Sequence, residues 1–137
     1  MANSYATGSV AGGEGFIGGL VGFNDVSGRS AIDASYSIDA SYSTGAVTGK
    51  GLSVLGGLIG NDCCGGTVTD CYWDTDTSGI TNLSQGAGYP PNDPGITGLT
   101  TSQLQSGLPT GFDAKIWAEN PNINNGLPYL INNPPPS

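Results

Sequence analysis

The sequence predicts an all-β chain built as a solenoid of short, stacked coils. Three observations carry that expectation. Gly18-Gly19-Leu20-Val21-Gly22 returns as Gly56-Gly57-Leu58-Ile59-Gly60. Ser4-Tyr5-Ala6-Thr7-Gly8-Ser9-Val10 returns as Ser41-Tyr42-Ser43-Thr44-Gly45-Ala46-Val47 and, altered, as Cys71-Tyr72-Trp73-Asp74-Thr75. The two segments also alternate at a near-constant half period: Tyr5 to Leu20 is 15 residues, Tyr42 to Leu58 is 16, and Leu58 to Tyr72 is 14. Self-similarity at a fixed period of roughly 20–50 residues marks a repeat architecture.

Tyr5 to Tyr42 is 37 residues and Tyr42 to Tyr72 is 30. The difference has a visible source. Ile32-Asp33-Ala34-Ser35-Tyr36-Ser37 is followed at once by the identical Ile38-Asp39-Ala40-Ser41-Tyr42-Ser43, and removing one copy leaves 31. Short strand candidates separated by Gly, Asn, Asp and Ser fit turn chemistry. Matching glycines, Gly8 with Gly45 and Gly22 with Gly60, imply the same corner on successive coils. Stacked in register, Tyr5, Tyr42 and Tyr72 form one column, and Ser4, Ser41 and Cys71 the next. Leu20 with Leu58, and Val21 with Ile59, form core columns. The tyrosines are expected to stack for packing.

After Gly79 the repeat stops. Residues 80–98 are rich in Gly, Pro and Asn, including Tyr89-Pro90-Pro91-Asn92-Asp93-Pro94-Gly95, and read as an irregular excursion. Thr100-Thr101-Ser102-Gln103 then fits a capping box, with Leu104 as its apolar contact and Gly107 as its end, for a helix of about two turns. Phe112, Ile116, Trp117, Leu127, Tyr129 and Leu130 are expected to cover the open end of the solenoid, because an uncovered end exposes core and unpaired strand edges. Asn132-Asn133-Pro134-Pro135-Pro136-Ser137 reads as a polyproline-like linker. The expected organisation is thus repeats over 1–79, the excursion over 80–98, a C-terminal cap over 99–131 and the linker over 132–137.

Composition agrees with a solenoid better than with a globule. Of 137 residues, 24 are Gly and 9 are Pro, while Leu, Ile, Val and Phe together number 28. That is thin for one central core, but small apolar residues stacked in register bury a narrow, continuous one. The net charge is −8, from 11 acidic and 3 basic residues. Nucleic-acid affinity rests on Lys and Arg at phosphates, and anionic membranes attract the same cations, so neither is an expected partner. Cations and uncharged or amino sugars remain open. No apolar run approaches the roughly 18 residues of a spanning helix. Met1-Ala2-Asn3-Ser4 has neither the basic nor the apolar region of a signal peptide, and Met1 is read as an artificial start on a piece of a larger protein.

Gly-Gly-Leu-Val-Gly with a following Asn, alternating with Ser-Tyr-Ala-Thr-Gly-Ser-Val, resembles the GLUG repeat of large bacterial surface and secreted proteins, notably filamentous-haemagglutinin-like adhesins exported by two-partner secretion. Cys71-Tyr72-Trp73-Asp74-Thr75-Asp76-Thr77-Ser78-Gly79 is similar to the segment that ends a run of these repeats. Leu99-Thr100-Thr101-Ser102-Gln103-Leu104, then Phe112-Asp113, Trp117 and Pro128-Tyr129-Leu130, resemble the tail of the same proteins. The resemblance implies a parallel β-helix, a secreted or cell-surface location and a part in adhesion or surface architecture. It carries no catalytic residues over. The doubled Ile-Asp-Ala-Ser-Tyr-Ser and the adjacent Cys63-Cys64 depart from the pattern. The full expectation is an all-β, right-handed parallel β-helix with a C-terminal capping segment that contains one short helix.

Candidate chemistry is sparse. Asp74-Thr75-Asp76-Thr77-Ser78-Gly79 matches the opening of a calcium loop, with Asp74, Asp76 and Ser78 as ligands. The loop lacks its closing carboxylate, since Gln85 stands at the twelfth position, and it has no preceding helix. The alternative is a turn in which Asp and Ser bond backbone amides. Tyr72 and Trp73 are candidate sugar-stacking residues, against a structural role in the core. The three cysteines are Cys63, Cys64 and Cys71, an odd count that permits one disulfide and a spare thiol. Cys64–Cys71 or Cys63–Cys71 would close a short loop, and three small buried hydrophobes are the alternative. Asp70, Asp74 and Asp76 form the only dense acidic set, and with no His the general acid–base options are few, so no enzyme is expected. The expected function is a non-catalytic structural and binding segment of an adhesin that faces a cell-surface glycan or protein. Self-association through the solenoid ends is a further expected contact. A plain stalk or spacer, and a polysaccharide-active enzyme using Asp carboxylates, are the alternatives.

Overall fold

The computed structural model describes residues 1–24, 37–63 and 66–136. The chain is all-β, with short strands in small, mostly parallel sheets. A first pass of chain holds β1 (Tyr5–Ala6), β2 (Val10–Ala11), β3 (Phe16–Gly18) and β4 (Val21–Phe23). A second holds β5 (Ser37–Asp39), β6 (Tyr42–Ser43), β7 (Val47–Thr48), β8 (Val54–Gly56) and β9 (Ile59–Asn61). A third holds β10 (Thr67–Thr69), β11 (Cys71–Asp74) and β12 (Ala87–Tyr89), followed by β13 (Ile96–Leu99). Among the described residues the one α-helix, α1 (Thr101–Leu104), is a single turn, and β14 (Trp117–Ala118) and β15 (Tyr129–Leu130) form a closing antiparallel pair.

The passes lie on one another in the register that the repeats specify. Tyr5 pairs with Tyr42 and Tyr42 with Tyr72, all parallel. Val10 sits opposite Val47. Ile17 faces Leu55, and Val21 faces Ile59. Residues 80–98 are not an irregular excursion. They supply β12, which lies on β9 with Ala87 opposite Ile59, and β13, which lies on β11 over four consecutive residues. The sequence hides β12 because Gly86-Ala87-Gly88 offers only one methyl group to the core.

Two apolar clusters flank the four-stranded sheet β1-β6-β11-β13. One fills the space inside the passes with Ile17, Ile38, Val47, Leu58, Ile59, Cys71, Trp73, Ile80, Ala87 and Ile96. The other joins Tyr42 and Tyr72 to Leu104, Phe112, Trp117 and Leu127. Alternation along a strand sends neighbouring side chains to opposite faces. In β11, Cys71 and Trp73 therefore point inward while Tyr72 points out. All four residues of β11 are buried, as expected for a parallel strand covered on both sides.

The C-terminal apolar residues do not cover an open end, as the sequence led one to expect. They run back along the outer, tyrosine-bearing face of the sheet as a strap. Phe112 packs edge-on to Tyr72 with ring centroids 5.7 Å apart, and stacks on Trp117 at 4.5 Å. Trp117 reaches Tyr42 at 6.0 Å and Tyr5 at 5.9 Å. Its indole N–H donates to Asn3 Oδ1 at 3.2 Å. The Tyr42 hydroxyl donates to the Pro128 carbonyl. The strap opens with the expected capping box. Thr100 Oγ1 accepts from Gln103 N, and Gln103 Oε1 accepts from Thr100 N.

Close stacking constrains the corners. A Cβ on Gly45 would overlap the carbonyl of Gly8 in the pass beneath, whereas a Cβ on Gly8 meets nothing within 4 Å. These two glycines occupy equivalent repeat positions, so they separate stacking from local turn preference. Thermal denaturation should show Gly45→Ala destabilised by about 1–3 kcal/mol, the usual cost of overpacking. Gly8→Ala should stay within about 0.5 kcal/mol of the parent. Equal effects would mean that the passes do not stack as described.

Candidate functional site

The residues of the calcium-loop motif form a turn and a clasp. Asp74 is fully buried. Its Oδ1 accepts from Asp76 N at 2.8 Å and Thr77 N at 3.2 Å. Its Oδ2 accepts from the Thr101 hydroxyl at 2.6 Å, while Asp76 Oδ2 accepts from Thr101 N at 3.1 Å. The two carboxylates thus converge on the first residue of α1 and fasten the strap to the sheet. Ser78 Oγ accepts from Ile80 N at 3.1 Å. A cation at this loop would have to displace three protein donors from Asp74. Among the described residues no group of three or more Asp, Glu, Cys or His converges as a metal site.

Tyr72 and Trp73 do not form the expected sugar platform. Trp73 has no exposed surface, and its Nε1 donates to the Ile80 carbonyl at 2.9 Å. Tyr72 is 8% exposed and its hydroxyl donates to the Thr110 carbonyl at 2.8 Å. One ring fills the inner core and the other sits under the strap, so neither offers a face to a pyranose. The exposed aromatic rings lie elsewhere, at Phe16, Phe23 and Tyr89. Phe16 and Phe23 meet edge to face at 5.6 Å.

The expected Cys64–Cys71 bridge is also corrected. Cys71 is a free, fully buried thiol. Its Sγ donates to the Thr69 and Ile38 carbonyls at 3.2 and 3.6 Å. Burial pushes the Cys71 thiol up to about 11, so it stays protonated at neutral pH and serves the core as a small hydrophobe. Cys63 is disulfide-bonded, and Cys64 lies outside the described residues.

Sequence reasoning missed a ladder of polar side chains at the end of the β4–β9–β12 sheet. Asn24 Nδ2 donates to Asp62 Oδ1 at 2.7 Å, and the Asp93 carboxyl adjoins Asp62. The signal was present in the register, because Asn24 and Asp62 each follow the paired residues Phe23 and Asn61. Burial, reinforced by the Asp93 carboxyl, raises Asp62 to about 7, although the Asn24 amide opposes the shift. A second carboxylate, Glu119 in the strap, is also raised by burial, against a hydrogen bond from the Gly107 backbone. Its Oε1 is the one buried side-chain oxygen or nitrogen among the described residues with no hydrogen-bond partner.

Two clefts, of about 470 and 330 Å³, border the strap and share Gln105 and Asn125. Among the described residues no helix is long and apolar enough to cross a membrane. Comparison with protein-family models, curated proteins and solved structures returns no match.

The carboxyl shifts have a definite sign. A pKa raised on folding means that the folded state binds the proton more tightly. The associated stability is full below the unfolded value near 4 and is lost as pH rises towards 7. Thermal midpoints should therefore fall between pH 5 and pH 8, and Asp62→Asn should flatten the fall. A midpoint that rises over that interval would contradict the buried carboxyl pair.

Proposed function

We propose that the chain is a non-catalytic structural and binding segment of a bacterial surface or secreted adhesin. In this reading it is folded as a right-handed parallel β-helix of the GLUG-repeat kind and faces a glycan. The observation that carries the reading is the unbroken column Tyr5–Tyr42–Tyr72, paired in parallel from pass to pass. Chains that repeat one strand at one place in successive turns have few ways to connect except as a helical stack, and such crossovers are right-handed in nearly all cases. The quoted motifs then supply the resemblance to the adhesin repeat and, with it, the exported location.

A non-catalytic role is supported by the state of the acids. The Asp74 carboxylate accepts three hydrogen bonds from protein donors, and the chain has no histidine to share proton transfer. Recognition of glycan is supported by the acidic, lysine-poor composition and by exposed rings at Phe16, Phe23 and Tyr89. A plain spacer is the second reading, favoured by the two-sided burial of β11, which makes the segment stiff.

A glycan array probed with the purified chain, with calcium and again with chelator, tests these readings. Reproducible binding to one sugar class supports recognition. Loss of that binding with chelator would reopen calcium at Asp74, Asp76 and Ser78, to be checked with Asp76→Asn. A blank array with folded protein leaves the spacer.

The ends make a separate prediction. β1, β2, β3 and β4 each pair on one side only among the described residues, and unpaired edges invite association. Light scattering should report dimers or larger species as concentration rises. A strict monomer at millimolar concentration would rule out association through this edge.

A further inference from the structure

A polar groove runs between the ends of the sheet strands and the returning strap. Its first part, about 330 Å³, includes Thr7, Thr44 and Asp74, and its second, about 470 Å³, includes Glu119 and Asn120. Gln105 and Asn125 line both parts. Each volume lies within the roughly 300–1,000 Å³ typical of small-ligand clefts. Thr7, Thr44 and Asp74 stand two residues beyond Tyr5, Tyr42 and Tyr72. The parallel register therefore sets them one above another on the same face.

We propose that this groove binds a neutral oligosaccharide, with its hydroxyls held between the Thr7–Thr44 column and the amides of Gln105 and Asn125. The inference rests on the glycan-facing reading above and gives it a site. The polar groups of the lining are hydroxyl, amide and carboxylate, set beside Pro121 and Leu127, and no lysine or arginine contributes to either part. That chemistry matches a ligand made of hydroxyl groups. It opposes an anionic one, because Asp74 and Glu119 border the groove and the chain carries a net charge of −8. Successive rungs of a sheet lie about 4.8 Å apart, close to the advance of one sugar residue along an extended chain.

Several groove groups are held in place before any ligand arrives. Asp74 is pinned by its three donors. Asn124, which also lines the first part, donates its side-chain N–H groups to Tyr42 Oη at 3.1 Å and Pro128 O at 3.0 Å. Its amide oxygen is thereby a fixed acceptor. The Gln105 amide donates to Asn125 O at 2.6 Å, which ties the two shared walls together. Preorganised groups spare a ligand the cost of ordering them. Tyr42 and Trp117 lie buried under the strap, so recognition here runs through hydrogen bonds rather than ring stacking.

The test is a titration of the isotopically labelled full chain, followed by amide chemical shifts. The neutral probes are cello-, xylo- and chito-oligosaccharides, and the anionic ones are sialyllactose and oligogalacturonate. Saturable shifts at Thr7, Thr44, Gln105 and Asn125 are expected with at least one neutral probe. The double variant Thr7→Val/Asn125→Gly removes one hydroxyl and one amide. It keeps a glycine at the left-handed position, where Asn125 has φ 54°. With an unchanged thermal midpoint it should bind about tenfold more weakly. Anionic probes that bind as tightly as neutral ones would overturn the proposal. Binding that survives the double variant, or that maps to Phe16, Phe23 and Tyr89, would remove the groove and leave the glycan-facing reading standing. A blank across all probes would overturn both.

Discussion

The rest of the structure depends on a sheet that has to be covered on both faces. The space inside the passes is narrow, and Trp73 takes most of it at the third pass. The indole fits because Gly57, Gly86 and Gly98 surround it, and a methyl group on any of the three would run into the ring. At the equivalent place one pass earlier, Gly19 lies against the Gly57 carbonyl and the small Ser43 side chain, with no indole to accommodate. With the inside filled in this graded way, the tyrosines of the repeat can only point out. Tyr5 and Tyr42 stack with centroids 5.3 Å apart and planes within 5°. An outward aromatic column of that size would be a large apolar stripe in water, and burying such rings dominates local energetics. The strap exists to cover it, and its course from Leu104 at the third pass to Trp117 beside Asn3 follows the column.

That requirement explains which features were legible in the sequence. The spacing of repeated tyrosines and glycines predicts the parallel pairing to the residue, because stacked passes place equivalent residues opposite each other. The capping box at Thr100 is equally local, and it forms as read. The strap's destination is not local. Ser41-Tyr42-Ser43 reads the same whether tyrosine or serine faces inward. Only the volume of Trp73, three-dimensionally adjacent to β6, decides the matter. Burial on both faces also erases the inside–outside alternation that would otherwise label the strand, which is why Trp73 and Tyr72 look available from sequence and are not. β12 was illegible for the opposite reason. Its contribution to the core is Ala87, and its value lies in letting backbones approach at Gly86 and Gly88.

Part of the acidic composition has a structural use. Asp74, Asp93 and Asp113 each accept the backbone N–H two residues on, as do Asn61, Asn82 and Asn120. A chain that turns every few residues exposes many backbone donors at its corners, and short side-chain oxygens satisfy them locally. Aspartate and asparagine are interchangeable for that purpose, so net charge accumulates without a cation to balance it. A dense acidic motif in such a chain is first of all a corner, and the D-x-D-x-S segment behaves as one.

The groups left over after packing and corner formation mark where recognition chemistry can reside. Asp62 is half-buried beside the Asp93 carboxyl of the adjacent pass, and both burial and that neighbour favour its protonated form. Glu119 has no hydrogen-bond partner at Oε1. It sits in the strap, whose route is dictated by the tyrosine column and not by its own polar groups. The strap must also leave the sheet and return, and the left-handed residues Asn124, Asn125 and Gly126 make that turn beside Gln105. A covering segment forced along an aromatic column thus builds a polar groove at its margin as a by-product. A sheet without an outward aromatic column would need no strap and would have no such groove at its margin.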